Sequence, residues 1–343
     1  MKPEVRAHFR AQGVACRRLG SRFMAKLLPR LAAAPIGNTR FGARIADWPG
    51  EPEADALALR AAGALHGLAL SGRAPAFAAL YPSAEGSDEA MLAAVIAAHD
   101  DWLSPWLDSP PQTNEAARSG ALLGGLLSIA AATGMEIELL EIGASAGLNL
   151  IPDLYRYDLG GRRWGEADAA PGIDCAWRNG APPLDAPLKI AARAGVDLRP
   201  VDPARRPSPL LAYIWPDQPA RLARARAALE RLAKTDIRVE TGDAAEWLAA
   251  RLAAEQPAGR VRVVMHSIMW LYLPERTRAA IDDAIAQAGA RADASHPLAR
   301  LSMEGDGVKG SAALTVTLWP GGVPRLLARA CYHGSWVDWV GKG

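Results

Sequence analysis

Cysteine is scarce in this chain. Cys16, Cys175 and Cys331 are its only three, far apart and without a C-x-x-C. An odd, scattered set excludes a disulfide framework and offers no structural zinc pattern, so no metal is expected and a reducing compartment fits. A signal core is also missing, since Met1-Lys2-Pro3-Glu4-Val5-Arg6 runs straight into more charge. Long apolar runs are absent as well. The longest, residues 121–135, is short for a membrane span and carries Gly124, Gly125 and Ser128, so it reads as a buried helix. These absences make a cytoplasmic protein the expectation, with no membrane partner. Net charge is nearly absent too: +2 gives no electrostatic reason to expect nucleic acid.

What is present suits an ordinary globular protein. Half of the 343 residues are apolar and 22% are charged, enough for one large domain or a core with an appended subdomain. Residues 1–112 read as a helical N-terminal cap subdomain. Apolar residues recur at helical spacing over 16–33, 54–70 and 88–107, with Pro and Gly at the joints. Ser109-Pro110-Pro111-Gln112-Thr113 breaks that pattern, and Thr113 or Asn114 can cap the next helix. The core, residues 113–343, opens with a helix over 114–133.

A strand follows, then a short helix that tolerates Pro152 only if it starts near Leu148. Residues 156–187, rich in Gly, Pro and Trp, read as an inserted hairpin or loop with strand-like pieces around Tyr157 and Cys175. Strands at 188–197, 237–239 and 261–265 then alternate with helices at 219–234, 246–254 and 275–288. Such alternation implies a parallel sheet covered on both faces. The strand at 298–304 precedes two more, 313–319 and 325–332, joined by Pro320-Gly321-Gly322-Val323-Pro324. That turn makes them an antiparallel hairpin ending the sheet. The expected fold is therefore α/β, a mostly parallel sheet closing in a β-hairpin behind an all-helical N-terminal subdomain.

Chemistry concentrates in Ile137-Glu138-Leu139-Leu140-Glu141-Ile142-Gly143-Ala144-Ser145-Ala146-Gly147-Leu148-Asn149. A buried parallel strand ends in a carboxylate and leaves through a tight turn into a helix. Gly143 and Gly147 let backbone approach a ligand, and the helix N–H groups face it. In open α/β sheets ligands bind beyond the strand C-termini. Two motifs share these residues. Gly143-Ala144-Ser145-Ala146-Gly147 is a G-x-S-x-G, the nucleophile elbow of serine hydrolases. It is also a loose E-x-G-x-S-x-G, which resembles the first motif of Rossmann-like S-adenosylmethionine-dependent methyltransferases.

The sheet with its final hairpin resembles that superfamily from about residue 114 onward, with the insertion after the first helix as a departure. More narrowly, Gln112-Thr113-Asn114-Glu115, residues 140–149, Tyr155-Arg156-Tyr157-Asp158 and His266-Ser267 resemble a bacterial domain-of-unknown-function family grouped with these enzymes. The resemblance implies S-adenosylmethionine as cofactor and an unidentified small-molecule or protein acceptor. It assigns Gly143, Ala144, Ser145 and Gly147 to the methionine part, with Asn149 also binding the cofactor and Glu141 at its ammonium or bracing the loop. Asp197, at a strand end, would hold the ribose hydroxyls, with Asp158 as competitor. Asp243 and Ala244 would meet the adenine, Asp243 serving equally as a helix cap. His266 would be the base at the substrate edge, or a structural histidine. Asn114, Glu115, Ser267, Trp270 and Tyr272 are candidates for the substrate side, Arg118 lying one turn on.

Two other readings stay open. A hydrolase would use Ser145 with Asp243 and His266 or His333, in the order Ser, Asp, His. Against it, the elbow follows about 135 residues of helical pattern, and no His-Gly-Gly segment precedes it. A methyltransferase-like fold that binds ligand or partner without catalysis is the third. A nicotinamide site is weaker still, since the spacing Gly-x-x-x-Gly is not G-x-G-x-x-G.

Overall fold

The computed structural model describes residues 1–81 and 88–341; residues 82–87, inside the expected helical stretch, lie outside the described residues. The chain divides into two units, residues 1–113 with 204–223, and residues 114–203 with 224–343. The segment 204–223, read from sequence as part of the core, thus groups with the N-terminal residues.

Among its described residues, the first unit has helices joined by turns and loops, and no strand. It contains α1 (Pro3–Arg18), α2 (Arg22–Ala33), α3 (Arg40–Ala46), α4 (Leu57–Leu70), α5 (Pro75–Leu80), α6 (Glu89–Ala98), α7 (Asp100–Leu103) and α9 (Pro209–Ala212). The helix expected over 16–33 is broken. Gly20 takes φ +94°, and Ser21 caps α2 through Met24 N–H while donating to Asp217. That partner is 196 residues away, so apolar spacing alone shows no break there. Phe9, Leu27, Leu28, Leu31, Phe41, Ile45 and Leu57 are fully buried in its core, each contributing roughly 1.5–3 kcal/mol by burial.

The second unit is built on an 11-stranded sheet. Its strands are β1 (Glu136–Ile142), β2 (Arg156–Leu159), β3 (Arg163–Trp164), β4 (Gly172–Arg178), β5 (Ile190–Asp197), β6 (Val239–Thr241), β7 (Arg260–Ser267), β8 (Leu298–Glu304), β9 (Ala312–Trp319), β10 (Arg325–Ala330) and β11 (Trp336–Trp339). They lie in the order β3-β2-β4-β11-β10-β9-β8-β7-β1-β5-β6. Strands β6, β5, β1, β7 and β8 are parallel throughout, whereas β8 to β11 run antiparallel to one another in turn. The result is α/β, with a mostly parallel central sheet. The hairpin of β9 and β10 is present, but it does not end the sheet. Strand β11 follows, and its parallel pairing with β4 joins the inserted β2–β3 hairpin to the main sheet. Four residues after a Gly-Ser turn give too little period-2 pattern to announce a strand.

Two layers of helix complete the unit. α11 (Ala244–Ala253) and α12 (Glu275–Arg291) pack Leu248, Leu252, Ile281 and Ile285 onto Leu140, Ile142, Val196 and Val264. α8 (Ser119–Thr133) packs against β4, β8, β9 and β10. Its glycines decide how close the sheet comes: a Cβ at Gly124 would sit 2.7 Å from Trp177 on β4 and 3.1 Å from Trp339 on β11. The stretch Ala116–Thr133 is long and apolar enough to cross a membrane, yet 78% of it is buried inside the structure. It is a core helix, as its glycines suggest. α10 (Pro219–Leu232) buries Ala225, Ala228, Leu229 and Leu232, one helical stripe.

Candidate functional site at the carboxyl edge of β1

β1 lies between β5 and β7. The chain winds from β1 to β5 and β6 on one side, then returns to β7 and β8 on the other. The order reverses at β1, and in open α/β sheets ligands bind beyond the strand ends at such a switch point. Residues 143–149 occupy that place.

The turn is sharp. Gly143, Ser145 and Gly147 take φ of +68°, +55° and +90°, so both glycines are demanded by the left-handed backbone. Close approach to them is made by the chain itself. Met269 lies 3.0 Å from where a Gly143 Cβ would be, and Leu150 and Val239 lie 3.2 Å from that of Gly147. The helix expected after the loop does not form. Two 3₁₀ turns, Leu148–Leu150 and Pro152–Leu154, replace it. Pro152 cannot donate an amide, and Asp153 is drawn off in a two-pronged pair with Arg193 at 2.7 and 3.0 Å. No row of helix N–H groups therefore faces the crevice.

Side chains from all around brace this loop. Asp197, at the end of β5, accepts Ser145 N–H at 3.0 Å and Arg199 N–H at 2.9 Å. Ala144 N–H donates to Val196 O, Val201 N–H to Ser145 O, and Gly242 N–H, after β6, to Asp197 O. Asn114 accepts Leu148 N–H at 2.9 Å. Tyr155 and Tyr157 donate their hydroxyls to Leu148 O and Pro152 O, each at 2.7 Å. Asp158, next in that segment, instead accepts Gly161 N–H and closes the β2–β3 turn.

Against this satisfied frame, four buried atoms of the loop and its strand have no hydrogen-bond partner among the described residues: Glu141 Oε2, Ser145 Oγ and both amide atoms of Asn149. Buried polar groups are ordinarily paired, and leaving one unpaired costs about 1–3 kcal/mol. Glu141 is 1% exposed. Burial pushes its carboxyl well above the ordinary range; Arg118 pulls it back, and the Asp197 charge adds to the rise. Arg118, itself buried, donates to Tyr332 O at 3.0 Å and Ser267 O at 3.4 Å. It ties β7 to the β10–β11 turn, and its charge acts on Glu141.

The other sequence candidates fall in two groups. Glu115 is buried, accepts Ala117 N–H and pairs with Arg224 at 3.4 Å. Asp243 caps α11, accepting Ala245 and Glu246 N–H, with Ala244 opening the helix. His266 is 1% exposed, and both ring nitrogens are engaged, by Glu304 at 2.8 Å and Arg300 at 3.1 Å. That arrangement leaves it no nitrogen for a substrate proton. Tyr272 is 75% exposed, whereas Trp270 stacks on His266 at 5.0 Å. Ser145 Oγ meets no histidine, so the Ser-Asp-His arrangement is not assembled here. Arg300 and Glu304 were not singled out from sequence. Their signal is Arg300-Leu301-Ser302-Met303-Glu304, polar at every second position of a strand. Among the described residues, no group of three or more His, Cys, Asp or Glu is placed to hold a metal.

Fold and site together define an α/β protein with a mostly parallel central sheet and a braced, incompletely satisfied loop at its switch point. The model of the family described as "Uncharacterized protein conserved in bacteria (DUF2332)" matches residues 6–339, and the chain belongs to that family. No curated protein matches it.

Proposed function

We propose that this protein binds S-adenosylmethionine at the 141–149 loop and is a methyltransferase acting on an unidentified acceptor. The order β6-β5-β1-β7-β8 corresponds to the 3-2-1-4-5 part of Rossmann-like sheets, and this supports the finer fold reading. The observation that carries the proposal is the set of unpartnered buried atoms on Glu141, Ser145 and Asn149, in a loop otherwise held rigid. Their chemistry suits the group: a buried acid for an ammonium, a hydroxyl and an amide for a carboxylate, and Asp197 on the neighbouring strand for a diol. Bound there, S-adenosylmethionine would supply an electrophilic methyl group on a sulfonium.

The chain's own contribution is then orientation and exclusion of water, with the backbone preset by its bracing contacts. A second reading, ligand binding without catalysis, is favoured by one observation: the occupied nitrogens of His266. Titration calorimetry with S-adenosylhomocysteine tests the cofactor claim. Micromolar binding, weakened at least tenfold by Glu141→Gln or Asp197→Ala, is expected. A well-folded protein that binds none sinks it. Turnover against an acceptor panel then separates the two readings.

A further inference from the structure

We propose that Glu304 is a positioning residue, which fixes residues 268–272 against the glycine loop through His266 and the amides of Met269 and Trp270. Its effect on ligand binding rests on the reading of the loop as a cofactor site; the clamp itself does not.

The register supplies the geometry. β7 and β8 pair in parallel with His266 opposite Ser302, so Arg300 and Glu304 are diagonal neighbours on the same face as the imidazole. An arginine Nε always carries a proton. At 3.1 Å from His266 Nε2, it donates. Nε2 is therefore the acceptor, and the single ring proton sits on Nδ1, 2.8 Å from Glu304 Oε1. The same oxygen accepts Met269 N–H at 3.2 Å, and Oε2 accepts Trp270 N–H at 3.4 Å. One carboxylate thus gathers three donors from β7 and the segment after it.

Arg300 closes the assembly. It reaches Asp282 on α12 at 2.7 Å and lies 4.6 Å from the ring centroid of Trp270. The neutral imidazole this pattern requires is favoured by burial, which outweighs the pull of Glu304.

The held segment is strained and consequential. Ile268 takes φ +50°, a left-handed conformation that a β-branched residue keeps only where its surroundings impose it. Met269 then fills the space over Gly143. Release of the segment takes Met269 off the loop and frees Gly143 to move, together with the Ala144–Ser145 turn it begins.

Three measurements on the full chain test this. Hydrogen exchange is followed at Met269 and Trp270 in wild type, Glu304→Gln and Arg300→Lys. Long-range proton–nitrogen NMR reads the His266 tautomer, and S-adenosylhomocysteine is titrated into each protein. Protected amides and an Nδ1-protonated, neutral His266 are expected in wild type. Glu304→Gln should speed exchange at both amides at least tenfold while β1 amides stay protected, and weaken the titrated ligand at least fivefold. Arg300→Lys, which keeps the carboxylate, should speed exchange at least threefold. Unchanged exchange in a folded variant, or a proton on Nε2 in wild type, overturns the clamp. Absence of binding by wild type defeats the cofactor proposal alone, since exchange and tautomer still decide this one.

Discussion

Replacing Ser145 by glycine separates a ligand site from an ordinary turn. Its φ of +55° costs an L-residue about 1–2 kcal/mol, and its buried hydroxyl has no partner among the described residues, a further cost of about 1–3 kcal/mol. Glycine removes both, and gives back about 0.5–1 kcal/mol as lost chain entropy. The backbone bonds from Ser145 N–H to Asp197 and from Val201 N–H to Ser145 O need no side chain and remain. Taking the low end of the gains, Ser145→Gly should stabilise the free protein by about 1–1.5 kcal/mol. For a unit of this size that raises the unfolding temperature by roughly 2–6 °C.

Ser145→Ala keeps the unfavourable φ and should gain less. Scanning calorimetry of the three proteins measures the order, and titration with S-adenosylhomocysteine measures the other side. The glycine variant should be the most stable and bind at least fivefold more weakly. A glycine variant less stable than wild type would falsify the premise that the hydroxyl lacks a structural partner.

Two further predictions concern protons. Burial pushes the Glu141 carboxyl well above the ordinary range and so favours its protonated form, whereas a cationic amine favours the carboxylate. Binding of S-adenosylhomocysteine should therefore release a proton, and affinity should rise with pH until the raised value is passed. Calorimetry in buffers of unequal ionisation heat measures the release; identical heats would refute it. In the first unit, burial depresses His66 from 6.5 to about 4, against the raising pull of the Ala212 and Ile214 carbonyls. Its folded value lies below the unfolded one, so its stabilisation is complete above about pH 6.5 and is lost as pH falls toward 4. Between pH 8 and pH 5 the loss is about 2 kcal/mol. Urea midpoints at the two pH values, compared with His66→Phe, measure it, and equal pH slopes for the two proteins would remove His66 as the cause.

Periodicity and apolar content located most of the second unit. The strand read over 298–304 is Leu298–Glu304, and the hairpin of β9 and β10 runs antiparallel as its turn demands. These elements are specified by residues near one another. What escaped depends on distant partners. The break before α2 is stabilised by Asp217, and β11 exists because β4 and β10 offer edges to it. The 3₁₀ turns after the loop follow from Pro152 together with an Arg193 forty residues on. The loop and Asp197 were legible as candidates from small residues and an acid at a strand end, whereas Asn114, expected to cap the next helix, accepts Leu148 N–H instead, and that helix opens at Ser119. The partners of His266 were not legible, since a lone histidine beside an apolar strand looks the same whether its nitrogens are free or taken.

The segments that resemble the bacterial family can now be sorted by what they touch. Asn114 holds Leu148, Tyr155 and Tyr157 hold the turns after it, and Asp158 closes a hairpin. These are braces, and each meets a hydrogen-bonding need that the loop creates. Glu141, Ser145 and Asn149 do the opposite, burying polar atoms that nothing among the described residues satisfies. A turn selected only for stability has no use for them, because an apolar residue or glycine at each place would avoid about 1–3 kcal/mol of desolvation. Rigid support around unsatisfied polar atoms is what a preorganised binding loop requires, since the ordering cost is met in folding and the missing bonds are supplied by the ligand. Stability and ligand binding should accordingly move in opposite directions at Ser145 and Asn149, and together at Asn114 and Tyr155.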